Sequence, residues 1–97
     1  MDDAARRKKL TFRAWRRGFR EMDLLMGSFA NAHINTMTDE DLYEFERLLA
    51  TPDWDVFAWL VCQKPVPSNF ESPLLTRIME FRYEAHATLA PAIVSCR

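Results

Sequence analysis

The sequence predicts an all-α fold, a small single-domain bundle of five helices. Apolar residues make up 48% of the 97 residues and recur at spacings of three and four. There are only two glycines and little alternating Val or Ile, a composition that favours helices over sheet. A chain of this length buries about two thirds of its unfolded surface in one core. We therefore expect one helical domain over residues 1–97, with a core of about 6–87 and a flexible tail at 88–97.

The first two helices are predicted over residues 4–16 and, after Gly18, to about Ala32. Asp2 and Asp3 open the first helix, where carboxylates interact favourably with the positive end of the helix dipole. The second helix has a core face of apolar residues at helical spacing: Met22, Leu25, Met26, Phe29 and Ala30. Gly27 costs this helix about 1 kcal/mol relative to alanine, so we expect another helix to pack closely against it.

The last three helices are predicted from their start signals. Thr38 precedes three acidic residues and is expected to cap a third helix that ends near Ala50. Thr51–Pro52 and Ser72–Pro73 each place a capping hydroxyl before a proline at the first helical position. They therefore predict the starts of a fourth helix and of a fifth helix that reaches about Ala87.

Charge is distributed unevenly along the chain. Residues 1–20 hold eight Arg or Lys against two Asp, a net +6, while residues 21–97 hold five against twelve, a net −7. This asymmetry indicates a basic face or arm that meets an acidic partner. The run Arg6, Arg7, Lys8 and Lys9 is also consistent with a solvated helix start, or with contact to nucleic acid.

The cysteines and histidines do not suggest a metal site. Cys62 and Cys96 are the only thiols, and His33 and His86 the only histidines, with no ligand-like spacing among them. We expect both thiols to be reduced, with Cys62 in the core and Cys96 in the tail. No apolar run approaches the ~18–20 residues that would cross a bilayer, so we expect no membrane insertion. The acidic start Met1-Asp2-Asp3 differs from a mitochondrial transit peptide and predicts a bacterial cytoplasmic protein.

One stretch, residues 16–23, is predicted to be a binding surface. It lies where the basic segment ends, and five of its eight side chains are charged: Arg16, Arg17, Arg20, Glu21 and Asp23. Gly18 is expected to let the backbone turn with positive φ and to let a partner approach without a Cβ in the way. Glu21 should lie in the first turn of the second helix, near the positive end of its dipole.

The same stretch resembles a known signature. Arg17-Gly18-x-x-Glu21, continued by Met22-Asp23, is similar to the RGxxE motif of the SdhE-type FAD assembly factors. Those small proteins promote covalent flavin attachment to the flavoprotein subunit of succinate dehydrogenase. An upstream Phe12-Arg13-x-Trp15 and a downstream Asp53-Trp54-Asp55-Val56-Phe57-Ala58-Trp59-Leu60 resemble further family segments, and the resemblance spans about residues 6–85.

The resemblance implies an assembly factor that is not itself an enzyme. Its partner would be the flavoprotein subunit, in which a histidine becomes attached to the flavin 8α-methyl group. Fumarate reductase is a further candidate client. FAD would be attached to that partner, and we expect this chain to bind no cofactor tightly and to be a monomer when free. The implied partner-binding residues are Arg17, Gly18, Glu21 and Asp23, with Arg16, Arg20 and Trp59 at the rim.

Other function classes remain as alternatives. A nucleic-acid-binding helical module would use residues 6–20 and bind in a salt-sensitive way, although twelve acidic residues elsewhere count against it. An antitoxin-like protein would neutralise a toxin and leave flavin attachment unchanged. Catalysis by the chain itself has no support, since it lacks a glycine-rich phosphate loop, a nucleophile elbow and a metal-ligand cluster.

Overall fold

Five α-helices form the fold, which the computed structural model describes over residues 3–86. Their bounds are Asp3–Ala14 (α1), Arg20–His33 (α2), Asp39–Leu49 (α3), Asp53–Leu60 (α4) and Pro73–His86 (α5). Single 3₁₀ turns occupy Ile34–Thr36 and Ser68–Phe70. Residues 3–86 contain no strand, so the prediction of an all-α fold with five helices is confirmed. The predicted tail at 88–97 lies outside the described residues.

All five helices contribute to one apolar core. Each helix buries side chains at helical spacing, and full burial of one large apolar side chain stabilises the fold by about 1.5–3 kcal/mol. The largest fully buried members are Phe29, Phe45, Leu10, Met22, Met26, Leu42, Leu48, Leu60, Leu74, Ile78 and Val56. Because α1 packs against both α2 and α3, the turn that follows α1 is brought beside the turn that follows α3.

Two of the three predicted helix caps are confirmed, and one is wrong. Thr38 forms a reciprocal capping box with Asp41, and the Ser72 hydroxyl accepts a hydrogen bond from the N–H of Leu75 at 3.1 Å. Thr51 does not cap α4, which has Pro52 at its N-cap instead. The Thr51 hydroxyl donates to the carbonyl of Arg47 at 2.8 Å, so it is engaged with the preceding helix.

Cys62 is neither buried nor reduced, contrary to the prediction. It is exposed, lies just after α4 and is disulfide-bonded. Its φ of 60° places it in the left-handed region, and its N–H donates to the carbonyl of Trp59 while the N–H of Gln63 donates to that of Ala58. These two hydrogen bonds form a Schellman motif, which ends α4 and turns the chain away from the core. The left-handed position of this motif is usually glycine, and here it is Cys62. The prediction for Cys96 lies outside the described residues.

The close packing expected at Gly27 is present, and its partner is Trp15. A Cβ added at Gly27 would lie 2.5 Å from Cε2 and 2.6 Å from Cε3 of the indole ring. The Trp15 ring is held there, since its Nε1 donates to Oδ1 of Asn31 at 3.3 Å. Gly27 is therefore required because the end of α1 lies directly on the backbone of α2.

Gly27→Ala is expected to destabilise the protein by about 1 kcal/mol, because overpacking against Trp15 outweighs the gain of about 1 kcal/mol in helix propensity. In a Trp15→Ala background the clash is gone, so the same substitution should stabilise by about 1 kcal/mol. Urea denaturation of the four variants measures both effects. A stabilising Gly27→Ala in the parent protein would contradict the packing described.

Candidate functional site

The turn between α1 and α2 is joined to the turn between α3 and α4 through Arg17. Its Nη1 donates to the carbonyl of Leu49 at 2.5 Å, and its Nη2 donates to the carbonyl of Thr51 at 2.7 Å. The same Nη2 lies 2.5 Å from Oδ1 of Asp53. Leu49 ends α3, where carbonyl groups lack partners within the helix, so the guanidinium satisfies carbonyls that the fold leaves open.

Arg17 is therefore part of the interior, contrary to the expectation that it binds the partner. Its side chain is only 6% exposed, against 22% for that of Asp53. Burial lowers the pKa of the Arg17 guanidinium, while the adjacent Asp53 carboxylate opposes the shift. Since α1 ends at Ala14 and α2 begins at Arg20, Arg17 is on neither helix. Its four-residue spacing from Glu21 therefore does not place the two side chains on one helical face.

Gly18 lies on the surface beside this buried pair. Its N–H donates to Oδ2 of Asp53. The predicted positive φ is wrong, because no glycine in residues 3–86 has one. Glycine is needed here for space: an added Cβ would overlap Oδ2 of Asp53 and lie 3.3 Å from its Cγ.

The side chains around Gly18 divide into exposed and enclosed groups. Arg16, Arg20 and Glu21 are exposed, and Glu21 is in the first turn of α2 as predicted. The Arg16 guanidinium lies over the ring of Phe12, 3.7 Å from its centroid. Asp23 is half-buried, and its Oδ1 is buried without a hydrogen-bond partner among the described residues. Asp23 is thus a poorer candidate for direct contact than Glu21.

Trp54, and not Trp59, is the exposed tryptophan of α4. Trp59 is 7% exposed and packs against Phe70, so its predicted position at the rim of the surface is wrong. Trp54 is 68% exposed and stacks on Phe19, the residue after Gly18, with ring centroids 4.1 Å apart. The Phe57 ring lies nearly perpendicular to the Phe19 ring, with centroids 5.1 Å apart, and packs against the stack.

The stack on Phe19 places Trp54 beside the turn that precedes α2. We call the exposed residues of this region the docking corner: Arg16, Gly18, Arg20, Glu21 and Trp54. It combines positive and negative side chains, the backbone of Gly18 and the flat indole face of Trp54. Aromatic and arginine side chains of this kind are enriched at protein–protein contacts. No group of His, Cys, Asp and Glu among the described residues could hold a metal ion.

Half of the basic run is used within the fold. Arg6 pairs with Glu46 at 2.8 Å, and Arg7 pairs with Asp3 at 2.7 Å and also donates to the carbonyl of Met37 at 3.0 Å. Lys8 and Lys9 remain exposed. The basic surface that a nucleic acid could contact is therefore smaller than the sequence suggests.

The chain matches the family described as "Flavinator of succinate dehydrogenase" (Sdh5) over residues 8–82. It is 43% identical over 77 residues to the "FAD assembly factor SdhE" of Acetobacter pasteurianus, which covers 79% of this chain and 71% of that protein. It is 42% identical over 69 residues to "Succinate dehydrogenase assembly factor 2, mitochondrial" of Dictyostelium discoideum, and 40% identical over 72 residues to the protein of that name in Mycosarcoma maydis.

The two eukaryotic relatives are longer than the matched region. Each match covers 71% of this chain, but only 49% of the Dictyostelium protein and 30% of the Mycosarcoma protein. Residues 8–82 include both turns that build the docking corner. Within residues 3–86, no helix combines the length and apolar character of a membrane span.

Proposed function

Because the chain belongs to the Sdh5 family, the flavinators of succinate dehydrogenase, we propose that it is an assembly factor that promotes covalent FAD attachment to the flavoprotein subunit of that enzyme. The observation that carries the proposal is the family match itself, which spans residues 8–82 and so includes the exposed docking corner. The relatives described above bear the names of succinate dehydrogenase or FAD assembly factors, which supports the same role.

In this proposal the docking corner binds the flavoprotein subunit and holds it in an arrangement that favours attachment. Glu21 accepts hydrogen bonds from the partner and Arg16 and Arg20 meet acidic groups, while Gly18 leaves the space that the Asp53 carboxylate occupies. Trp54, and not the predicted Trp59, supplies the aromatic contact of this surface. Correct positioning of reacting groups lowers a reaction barrier by several kcal/mol, on the order of 7–11 in well-oriented cases.

The chain's own contribution is therefore to bind and orient, and the chemistry belongs to FAD and the partner. We propose that the chain is not an enzyme and binds no FAD tightly by itself. We propose a bacterial cytoplasmic location; the match to an Acetobacter protein supports the bacterial part of that proposal. The nucleic-acid and antitoxin alternatives receive no support from the matched family or the named relatives.

Trp54→Ala is expected to weaken binding to the purified flavoprotein subunit by about tenfold or more, since exposed aromatic anchors dominate interface energetics. Tyr43→Ala is the matched control. Tyr43 is similarly exposed, at 58%, but lies on α3 in a groove with Glu40 and Glu71. Titration calorimetry measures the two affinities, and circular dichroism checks that both variants keep the helical fold.

Covalent flavin is read in parallel by in-gel fluorescence after co-expression with the flavoprotein subunit. It should rise with the parent chain, rise similarly with Tyr43→Ala and remain low with Trp54→Ala. Equal binding and equal covalent flavin for Trp54→Ala and Tyr43→Ala would remove Trp54 from the docking corner. No rise with the parent chain would contradict the proposed function.

A further inference from the structure

Asp53 is in contact with both parts of the Arg17–Gly18 turn, although it lies 35 residues away in the chain and outside the RGxxE signature. Its Oδ1 pairs with Arg17 Nη2 at 2.5 Å, and its Oδ2 accepts the hydrogen bond of the Gly18 N–H. Asp53 is also the first residue of α4, where a carboxylate is stabilised by the positive end of the helix dipole.

The two carboxylate oxygens fix different features of the docking corner. The bond to Arg17 holds the guanidinium in place while it donates to the carbonyls of Leu49 and Thr51. The hydrogen bond to the Gly18 N–H fixes the orientation of the backbone at Gly18, the residue of the docking corner that has no side chain. Without this carboxylate, both a buried cation and a backbone donor would lose a partner.

Asp53 also constrains the aromatic part of the docking corner. Trp54 follows it directly in α4, and Phe19 follows Gly18 in the other turn, so the bond between Asp53 and Gly18 holds together the segments that carry the stacked rings. The ring stack at 4.1 Å and the hydrogen bond to Gly18 therefore together connect the α1–α2 turn to the start of α4.

We propose that Asp53 is a positioning residue for flavin attachment, acting through Arg17, Gly18 and Trp54. This inference rests on the proposed function, because the positioned surface is the one that docks the flavoprotein subunit. Asp53 does not need to contact the partner, since its carboxylate oxygens are already engaged within the chain. It sets the geometry of the docking corner before the partner arrives.

The test compares Asp53→Asn with Asp55→Asn. Both substitutions remove one negative charge from the first turn of α4, and Asp55 is exposed with no ion pair among the described residues.

In the free chain, the ¹H–¹⁵N resonance of Gly18 should move in Asp53→Asn, while those of core residues stay in place. Co-expression with the flavoprotein subunit should then give about 10- to 100-fold less covalent flavin for Asp53→Asn, as expected for a displaced binding geometry. Asp55→Asn should match the parent in both measurements.

A core variant separates positioning from a general loss of stability. Ile78→Val removes a methyl group from a fully buried site, far along the chain from the docking corner. At a temperature where Ile78→Val and Asp53→Asn are folded to the same extent, Ile78→Val should retain parental covalent flavin. Equal losses in both variants, or an undiminished yield with Asp53→Asn, would overturn the proposal. If the parent chain itself gives no covalent flavin, the proposed function fails, whereas an unmoved Gly18 resonance in Asp53→Asn counts against the positioning role alone.

Discussion

Arg17→Ala is expected to lower the free energy of unfolding by about 3 kcal/mol, a large share of the stability of a small domain. The substitution leaves the Asp53 carboxylate without its cation and the carbonyls of Leu49 and Thr51 without donors. Because the Asp53 side chain is 22% exposed, water can solvate its carboxylate and replace part of the lost interaction with Arg17. Urea denaturation followed by circular dichroism measures the change.

Two further substitutions show whether the effect belongs to these contacts. Arg17→Lys keeps the charge but cannot donate to three acceptors in the planar geometry of a guanidinium, so its loss should be intermediate. Arg16→Ala removes an exposed neighbour and should change stability by no more than about 0.5 kcal/mol. If Arg17→Ala were as stable as Arg16→Ala, the interior contacts of Arg17 would contribute nothing, and a direct role toward the partner would regain support.

Gly18→Ala is expected to reduce covalent flavin by about 10- to 100-fold, because the docking geometry changes at the centre of the surface. The added methyl group would overlap Oδ2 of Asp53. Asp53 can move aside only by giving up its bonds to Arg17 and to the Gly18 N–H. In-gel flavin fluorescence of the co-expressed flavoprotein subunit is the readout.

Glu71→Ala is the control for this substitution. Glu71 is exposed in the segment before α5, and its replacement should leave covalent flavin at the parental level. Denaturation of Gly18→Ala establishes that the variant is folded under the conditions of the assay. A folded Gly18→Ala with parental flavin attachment would show that space beside Asp53 is not what the motif glycine provides.

Much of the fold could be predicted because its signals are local. The capping box at Thr38 and the Ser72–Pro73 start involve residues only a few positions apart, and each lies where it was predicted. Thr51 shows the limit of such signals, since its hydroxyl is equally able to bond back to the preceding helix. Which of the two it does depends on the angle between α3 and α4, a tertiary property.

The contacts within the site were harder to predict than the location of the site in the sequence. The cluster of charge at residues 16–23 is evident in the sequence, but the burial of Arg17 follows from acceptors more than thirty residues away. The choice between Trp54 and Trp59 depends on the phase of α4. Val56 and Leu60 are both buried, and Trp59 lies three residues after the first and next to the second. That spacing was a usable signal for burying Trp59.

Asp53 was the functional candidate that sequence reasoning missed. In the sequence, Asp53 only begins a segment that resembles the family, and nothing in the order of residues indicates which backbone N–H a distant carboxylate will meet. The bond between Gly18 and Asp53 can be predicted only once the α1–α2 turn and the start of α4 are known to be adjacent.

Hydrogen exchange of the parent chain, with and without the purified flavoprotein subunit, tests the central claim most directly. The claim is that the docking corner is where the partner binds. It predicts slower exchange on binding at the amides of residues 16–24 and of Trp54, with unchanged exchange along the outer face of α3 around Tyr43. Protection confined to α3 and the start of α5, with none at residues 16–24, would contradict it.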